Sequence, residues 1–396
     1  GYLGATHAAC LAELGYEDQE AETIQALRAW DPYEAERARP LADPTAALRR
    51  LLASPNIASK AWVYNQFDST VRGNTVQEPG GAAGVLRIEG TRRGVAATVD
   101  CNGRYVYLNP RRGAMIAVAE AARNLVCVGA RPRAVTNNLN FGNPLKPEVY
   151  YQLREAVLGI AEACKRFETP VTGGNVSLYN ESPSGAIYPT PVIGMVGILD
   201  DVARHVTLPF REPGNAIVLL GANTDELGGS EYLKVIHGRV GGDAPAVDLD
   251  AEKRLQELVL ELADRELLAS ANDCSEGGLA VCIAECAVAD RLKPLGVDVE
   301  LSDALPTAAL LFGEAQGRIV ISCAEEHVEE VLRAADRHGV PAARIGTVGE
   351  PGGTFTIRTP EAEIRAPIAE LAEIYHTAIP RIMDEPTTLA GGTGDA

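Results

Sequence analysis

No apolar run in the 396 residues approaches the roughly 20 residues that cross a bilayer as a helix. No secretory signal pattern is visible either. Cysteine pairs of the CxxC type are missing, although there are eight cysteines. Cys282 and Cys286 are one helical turn apart, but no histidine or second pair completes a metal set. Most thiols sit in apolar surroundings such as LVCVGA and read as buried, free thiols of a reducing cytosol. Positive charge is scarce: 36 Lys and Arg face 54 Asp and Glu, a net charge of −18. That balance argues against sequence-independent nucleic-acid binding, which needs a basic face. It leaves small anionic ligands open, because backbone N–H groups bind phosphate without net positive charge. There is no GxxxxGK[ST] loop, no GxGxxG opening a helix after a strand, and no GxSxG elbow. The six histidines are scattered, none beside a Ser or Cys as a nucleophile–base pair. No catalytic residue is therefore assigned.

What is present is enough apolar residue, 46%, for substantial cores, and a length that suits two or three domains. Residues 1–55 are helix-prone, with Ala, Leu and Glu at helical spacing interrupted around DPYEAERARPLADP, and read as a lead-in or linker. Residues 56–210 form a first unit. GVLRIEG, GVAATVD and RYVYL alternate as strands. A helix GAMIAVAEAARNLVCVGA, a strand RAVTNNLN, a helix PEVYYQLREAVLGIAEACKRF and a strand TPVIGMVGIL follow. Proline and glycine cluster at 208–215 before a new apolar strand, so a second unit spans 211–378. Strand-like AIVLLG and RIVISC alternate there with helix-like DAEKRLQELVLELADRELL, GGLAVCIAECAVA and EHVEEVLRAADRHG, an α/β or α+β pattern. Residues 379–396 read as a flexible tail. No short internal repeat occurs.

Polar and glycine interruptions at the ends of these elements carry the chemistry. In VTGGNVSLYN, Gly173 and Gly174 allow close backbone approach to a ligand, and Asn175 offers an amide oxygen to a Mg²⁺ shell of phosphate and water. Ser177 and Gly173 share the face of Asn175 if the segment is extended. A tight turn leading into a strand explains the same residues. In AVTNNLNFGNP, Asn137 lies near a strand's C-terminal end, where α/β folds contact ligands, with Asn138, Asn140 and Asn143 after it. A turn-rich connection is the alternative. In VDCNGRYVYLNPRRGA, Asp100 ends a strand and suits a metal or an Asx turn. Arg104, Arg111 and Arg112 suit a phosphate or a carboxylate. In SANDCSEGGLAVCIAE, Asp273, Ser275 and Glu276 precede a helix opened by Gly277 and Gly278. They suit an ordinary N-cap or an anion at the helix end. NTDELGGSEYL and LLFGEAQGRIVIS, with Glu314 and Gln316 on one face of an extended segment, are further interruptions. Their number predicts one shared crevice.

SPNIASKAWVYNQFD, GNTVQEPGGAAGVLRI, DCNGRYVYLNP, AVAEAARNLVCVGARPRAVTNNLNFGNPLKPEVY, GGNVSLYNE, YPTPVIGMVGIL, LGGSEYL, DCSEGGLAVCIAE and GEAQGR closely resemble the large subunit of phosphoribosylformylglycinamidine synthase, the small bacterial type. The resemblance covers about residues 50–375. It implies an aminoimidazole-ribotide-synthetase-like fold, with an N-terminal barrel-forming domain and a C-terminal α/β domain. It also implies an activity: ATP and Mg²⁺ activate a formamide oxygen of formylglycinamide ribotide, and glutamine-derived ammonia displaces the phosphate. The sequence looks like the second of that family's two homologous halves. The family's catalytic His, its neighbouring Tyr and Lys, and most metal carboxylates belong to the first half. The start at Gly1 fits a chain that begins part-way.

By the resemblance, Gly174 and Asn137 contact ATP, Asn175 is a Mg²⁺ ligand and Ser177 contacts substrate. Asn137 stands where the family usually has Asp, and Asn272 where it usually has His. Glu314 and Gln316 resemble a first-half substrate motif. In a second half that pocket serves a structural nucleotide or nothing. The resemblance further implies a glutaminase subunit, a small bridging subunit and a cytoplasmic setting. Self-association through an uncovered barrel edge is also expected. A catalytically silent, nucleotide-holding half is the rival reading. The motif set argues against a kinase or a selenophosphate-type synthetase.

Overall fold

The computed structural model describes residues 18–384. Its helices include α1 (Glu22–Ala29), α2 (Tyr33–Ala38), α3 (Pro44–Leu52), α4 (Gly103–Leu108), α5 (Pro110–Cys127), α6 (Pro147–Phe167), α7 (Leu249–Asp264), α8 (Gly278–Val288), α9 (Val328–His338) and α10 (Ile368–Asp384). Strands β1 (Thr75–Gln77), β2 (Gly84–Arg87), β3 (Gly94–Asp100), β4 (Arg131–Asn140), β5 (Val171–Ser177) and β6 (Thr190–Leu199) form one sheet, in the order β1-β2-β3-β6-β4-β5. A second sheet holds β7 (Ala216–Leu220), β8 (Ser270–Asp273), β9 (Leu295–Glu300), β10 (Ile319–Cys323), β11 (Ala342–Pro351), β12 (Thr354–Arg358) and β13 (Glu363–Pro367). Its order is β8-β10-β7-β11-β9-β12-β13. No helix among the described residues is long and apolar enough to cross a membrane.

In the first sheet β4 and β5 are parallel neighbours joined through α6, and their other pairings are antiparallel. A parallel pair needs such a crossover, and the helix covers one face. That face is apolar: Ala96, Val135, Leu139, Ile193 and Met195 pack under Ala117, Ala121 and Leu125 of α5 and Leu153 and Ile160 of α6. The opposite face is open and carries Leu86, Val99 and Val196, with Val99 71% exposed. The second sheet is covered by two cores, one with α8 and one with α7 and α9.

Three sequence expectations change. RYVYL is helical, not extended. Asn102 caps α4 by accepting from the N–H groups of Arg104 (3.1 Å) and Tyr105 (3.4 Å). The adjacent Tyr105 and Val106 are both buried, which strand alternation would not give. Residues 18–55 are helical as read, but α3 is no free linker. Its face Ala47, Leu48, Leu51 and Leu52 lies in the core of the second sheet's domain, beside Ile217 and Leu279. The tail expectation for 379–396 also shortens. Helix α10 continues through Pro380 to Asp384, anchored by the buried Ile368, Leu371 and Ala378, and the remaining residues lie outside the described range.

Candidate functional site

The Asn-rich run is strand rather than turn: Asn137, Asn138 and Asn140 all lie in β4, and only Asn143 enters the connection. Register places Asp100 beside Ile193, Ile193 beside Asn137 and Asn137 beside Gly174. These four residues make a row across β3, β6, β4 and β5. They share the helix-covered face, because Ile193 and the flanking Val135 and Leu139 belong to that core. The Asn137 side chain leans over Gly174. A Cβ on Gly174 would come 2.1 Å from Asn137 Oδ1 and 2.6 Å from its backbone oxygen. Glycine is therefore required there by strand packing.

Asn175 and Ser177 point to the open face of the same edge strand, in register with Asn138 and Asn140. Asn175 Nδ2 donates to Asn138 Oδ1 at 3.0 Å, which turns the Asn175 oxygen outward. Ser177 Oγ donates to Asn180 Oδ1 at 3.2 Å, and Asn180 is held by the Ser177 and Phe141 carbonyls. A Cβ on Gly173 would meet nothing within 4 Å, so the backbone there is open to a ligand. The four expected site residues thus divide between the two faces of one edge. Asn137 and Gly174 lie on one face, Asn175 and Ser177 on the other.

The remaining motifs converge elsewhere. A crevice of about 750 Å³ runs between the two domains, lined among others by Lys60, Gly80, Thr98, Asn124, Asp273 and Glu285. Beside it Asn124 Nδ2 donates to Asp100 Oδ2 at 2.9 Å. Behind it stands Arg123, fully buried on α5. Its Nε reaches Asp273 and its Nη1 reaches Glu252, each at 2.5 Å, and its Nη2 donates to Gln316 Oε1 at 2.9 Å. Burial, then the neighbouring Glu276 and Asp273, holds the Asp100 carboxyl well above its ordinary range. Glu120 is raised likewise by burial and by Asp100. Asp273 Oδ2 has no donor among the described residues. Asn272 is buried and donates to Cys282 Sγ at 3.6 Å.

Glu314 forms a second knot, wholly buried. It accepts from Gly277 N–H (2.7 Å), Glu231 N–H (2.8 Å) and the Tyr105 hydroxyl. The helix that follows Gly277 is therefore not capped by Ser275 or Asp273. Gly277 and Gly278 both have positive φ (82° and 74°), and the carboxylate arrives from the GEAQGR segment instead. Glu231 pairs with Arg104 at 2.8 Å and accepts from Ser54 and Asn56. The GEAQGR carboxylate is consumed by the fold, and Glu314 and Gln316 face different partners rather than one ligand. No group of three or more His, Cys, Asp or Glu among the described residues has a metal-holding arrangement.

Sequence reasoning passed over Arg123, Glu120, Glu252, Lys60 and Glu285. The signal was a Glu and an Arg, three residues apart, inside an otherwise apolar helix AVAEAARNLVCVGA.

Family models match both domains in order. The AIR synthase related protein N-terminal domain matches residues 80–199, and the AIR synthase related protein C-terminal domain matches 212–358. The chain belongs to the AIR synthase related family. It is 51% identical over 334 residues to the phosphoribosylformylglycinamidine synthase subunit PurL of Moorella thermoacetica, covering 84% of this chain and 45% of that one. It is 52% identical over 340 residues to the PurL subunit of Chlorobaculum tepidum, covering 83% and 44%. The chain therefore spans less than half the length of these curated relatives, and it fits their C-terminal half. Among solved structures, Thermotoga maritima PurL complexed with FGAR aligns with TM-score 0.63 at 19% identity, over 92% of this chain and 55% of that one. T. maritima PurL complexed with ATP aligns with TM-score 0.60 at 21% identity, over 73% and 46%. These two likenesses establish the AIR-synthase-type fold.

Proposed function

We propose that the chain supplies one wall of the active site of an ATP-dependent C–N ligase of purine biosynthesis, which converts formylglycinamide ribotide to formylglycinamidine ribotide with glutamine-derived ammonia. The observation that carries this reading is identity to PurL subunits at about half of the aligned positions, running through both domains. The edge strand fits the role. The open backbone at Gly173 admits a phosphate chain, the outward Asn175 oxygen faces a cation, and Ser177 Oγ, its proton given to Asn180, keeps an acceptor lone pair for substrate. Asn137 and Gly174, on the covered face, act from behind: the Asn137 side chain packs over Gly174 and holds the edge strand in place for the nucleotide. A lone amide oxygen suits Mg²⁺ only where phosphate oxygens and water complete the shell. When bound, ATP with Mg²⁺ supplies the phosphoryl group that activates the formamide oxygen. The chain's own share is positioning, the main demand of phosphoryl transfer.

The rival reading, a silent nucleotide-holding half, draws on the crevice. One of its lining carboxylates, Asp273, is engaged with Arg123, and Asp100 beside it accepts from Asn124. Ammonia-dependent ADP release with formylglycinamide ribotide separates the two. The chain alone is expected to be inactive. It is expected to gain activity with a polypeptide carrying the rest of the PurL length. Activity of the chain alone refutes the partial-site reading, and a silent mixture of two folded pieces favours the rival. In the cell we place the chain in the cytoplasm with a glutaminase and a small bridging subunit. T. maritima has a solved PurLQS structure that aligns with this chain at TM-score 0.65.

The open face of the first sheet carries Leu86, Val99 and Val196. Without a covering domain it is expected to self-associate. Sedimentation velocity should show dimers that Val99→Asp weakens. A monodisperse monomer contradicts this.

A further inference from the structure

At the start of β4, away from the edge residues, a pocket of about 230 Å³ lies between that strand, the C-terminal end of α6 and one face of α7. Arg131 and Arg133 line it from the strand. Both are exposed, and neither has a carboxylate within ion-pair distance among the described residues. Their two guanidiniums are therefore free to meet an anion in a chain with a surplus of acid. Lys253 is also there, already committed to Glu168 at 2.8 Å. Gln256, 6% exposed, lines the same pocket, and its buried Nε2 has no acceptor. A buried donor left without an acceptor costs roughly 1–3 kcal/mol, so an acceptor oxygen that reaches Gln256 Nε2 gains that much. Glu257, next on the helix, completes the lining.

We propose that this pocket binds a phosphate group. Guanidinium forks match phosphate oxygens in pairs, and the Gln256 amide adds a buried third donor. Glu257 accepts rather than donates, so it favours an oxyanion that carries its own proton. Hydrogenphosphate carries such a proton at neutral pH; a phosphate monoester, with its second pKa at about 6, carries it only in its minority monoanion, and sulfate carries none. The volume suits a phosphate ion or a small phosphate ester. Arg131 is six residues before Asn137 on β4, about 20 Å along the strand, so the site is separate from the nucleotide edge.

Isothermal titration of the whole chain tests this, with inorganic phosphate, glycerol 3-phosphate and sulfate as separate titrants. Phosphate is expected to bind, with sulfate at least about tenfold weaker. The Arg131→Ala/Arg133→Ala double variant is expected to lose at least about tenfold in phosphate affinity. Gln256→Leu, which removes the orphan donor with little change of volume, should fold at least as well as wild type and also bind more weakly. Tighter binding of glycerol 3-phosphate than of phosphate assigns the site to an ester, and the reverse assigns it to free phosphate. Phosphate binding that survives the double variant, absence of phosphate binding, or equal sulfate binding overturns the proposal.

Discussion

Arg123→Met is expected to destabilise the protein by about 3–5 kcal/mol, the usual cost of removing one partner from a buried ion pair. The guanidinium is wholly inaccessible and holds Asp273 and Glu252 at 2.5 Å each and Gln316 at 2.9 Å. Those three partners come from β8, α7 and the segment before β10, all in the second domain, while Arg123 belongs to the first. Methionine fills a similar volume, so the loss is electrostatic: Asp273 and Glu252, and the more distant Glu120 at 4.0 Å, stay buried with no cation. Part of the loss is relieved if they take up protons, and the variant should therefore recover as the pH falls. Urea titration at neutral pH measures the effect. Adding Asp273→Asn and Glu252→Gln to Arg123→Met should restore much of the stability, since the unpaired charges are then gone. A loss below about 1 kcal/mol, typical of surface pairs, would show that Arg123 does not hold the domains together.

Arg123 also marks where the sequence stops being readable. Period and punctuation revealed the strands and helices from GVLRIEG to EHVEEVLRAADRHG, because each buries a regular face. RYVYL misled because short apolar–aromatic alternation looks like a strand. The cap at Asn102 decides otherwise, and a cap is a geometric fact. The expected single crevice was half legible. Asp100, Asp273 and the GEAQGR and GGSEYL segments do lie together, but held by buried hydrogen bonds and the Asp273–Arg123 ion pair. Sequence cannot distinguish a carboxylate held for a ligand from one spent on a backbone N–H. Nor does it show that Asn137 and Asn175 face opposite ways. That depends on register, and the pairing of β4 with β5 slips between Val135 and Thr136.

Between pH 4.5 and 7 the protein is expected to lose stability as the pH rises, and Glu314 is a principal cause. It has no solvent exposure, and burial, with the nearby Glu276 adding to it, pushes its carboxyl up from 4.5 to about 7 against the pull of Arg104, Gly277 and Tyr105. In the unfolded chain this group ionises near 4.5. The folded protein therefore keeps a proton that the unfolded chain has released, and each further rise in pH favours unfolding until the folded group ionises too. At about 1.36 kcal/mol per pKa unit, the loss from this group alone is about 3 kcal/mol, complete near pH 7. Glu285, pushed up to about 8 chiefly by its enclosure in the crevice, extends the fall. Carboxylates held low act on the other side of the window. Glu231, drawn down by Arg104, Ser54 and Asn56 despite its burial, and Glu261, held at about 2 chiefly by His338, contribute stability that is lost only as the pH drops below 4.5. Urea midpoints at pH 5, 6, 7 and 8 read the slope. Glu314→Gln, which cannot ionise, should flatten the part below pH 7 while leaving the part near 8. A midpoint that rises from pH 5 to pH 7, or an unchanged slope in Glu314→Gln, would mean that the Gly277, Glu231 and Tyr105 donors keep Glu314 ionised throughout. The knot would then stabilise the protein as a charge rather than strain it.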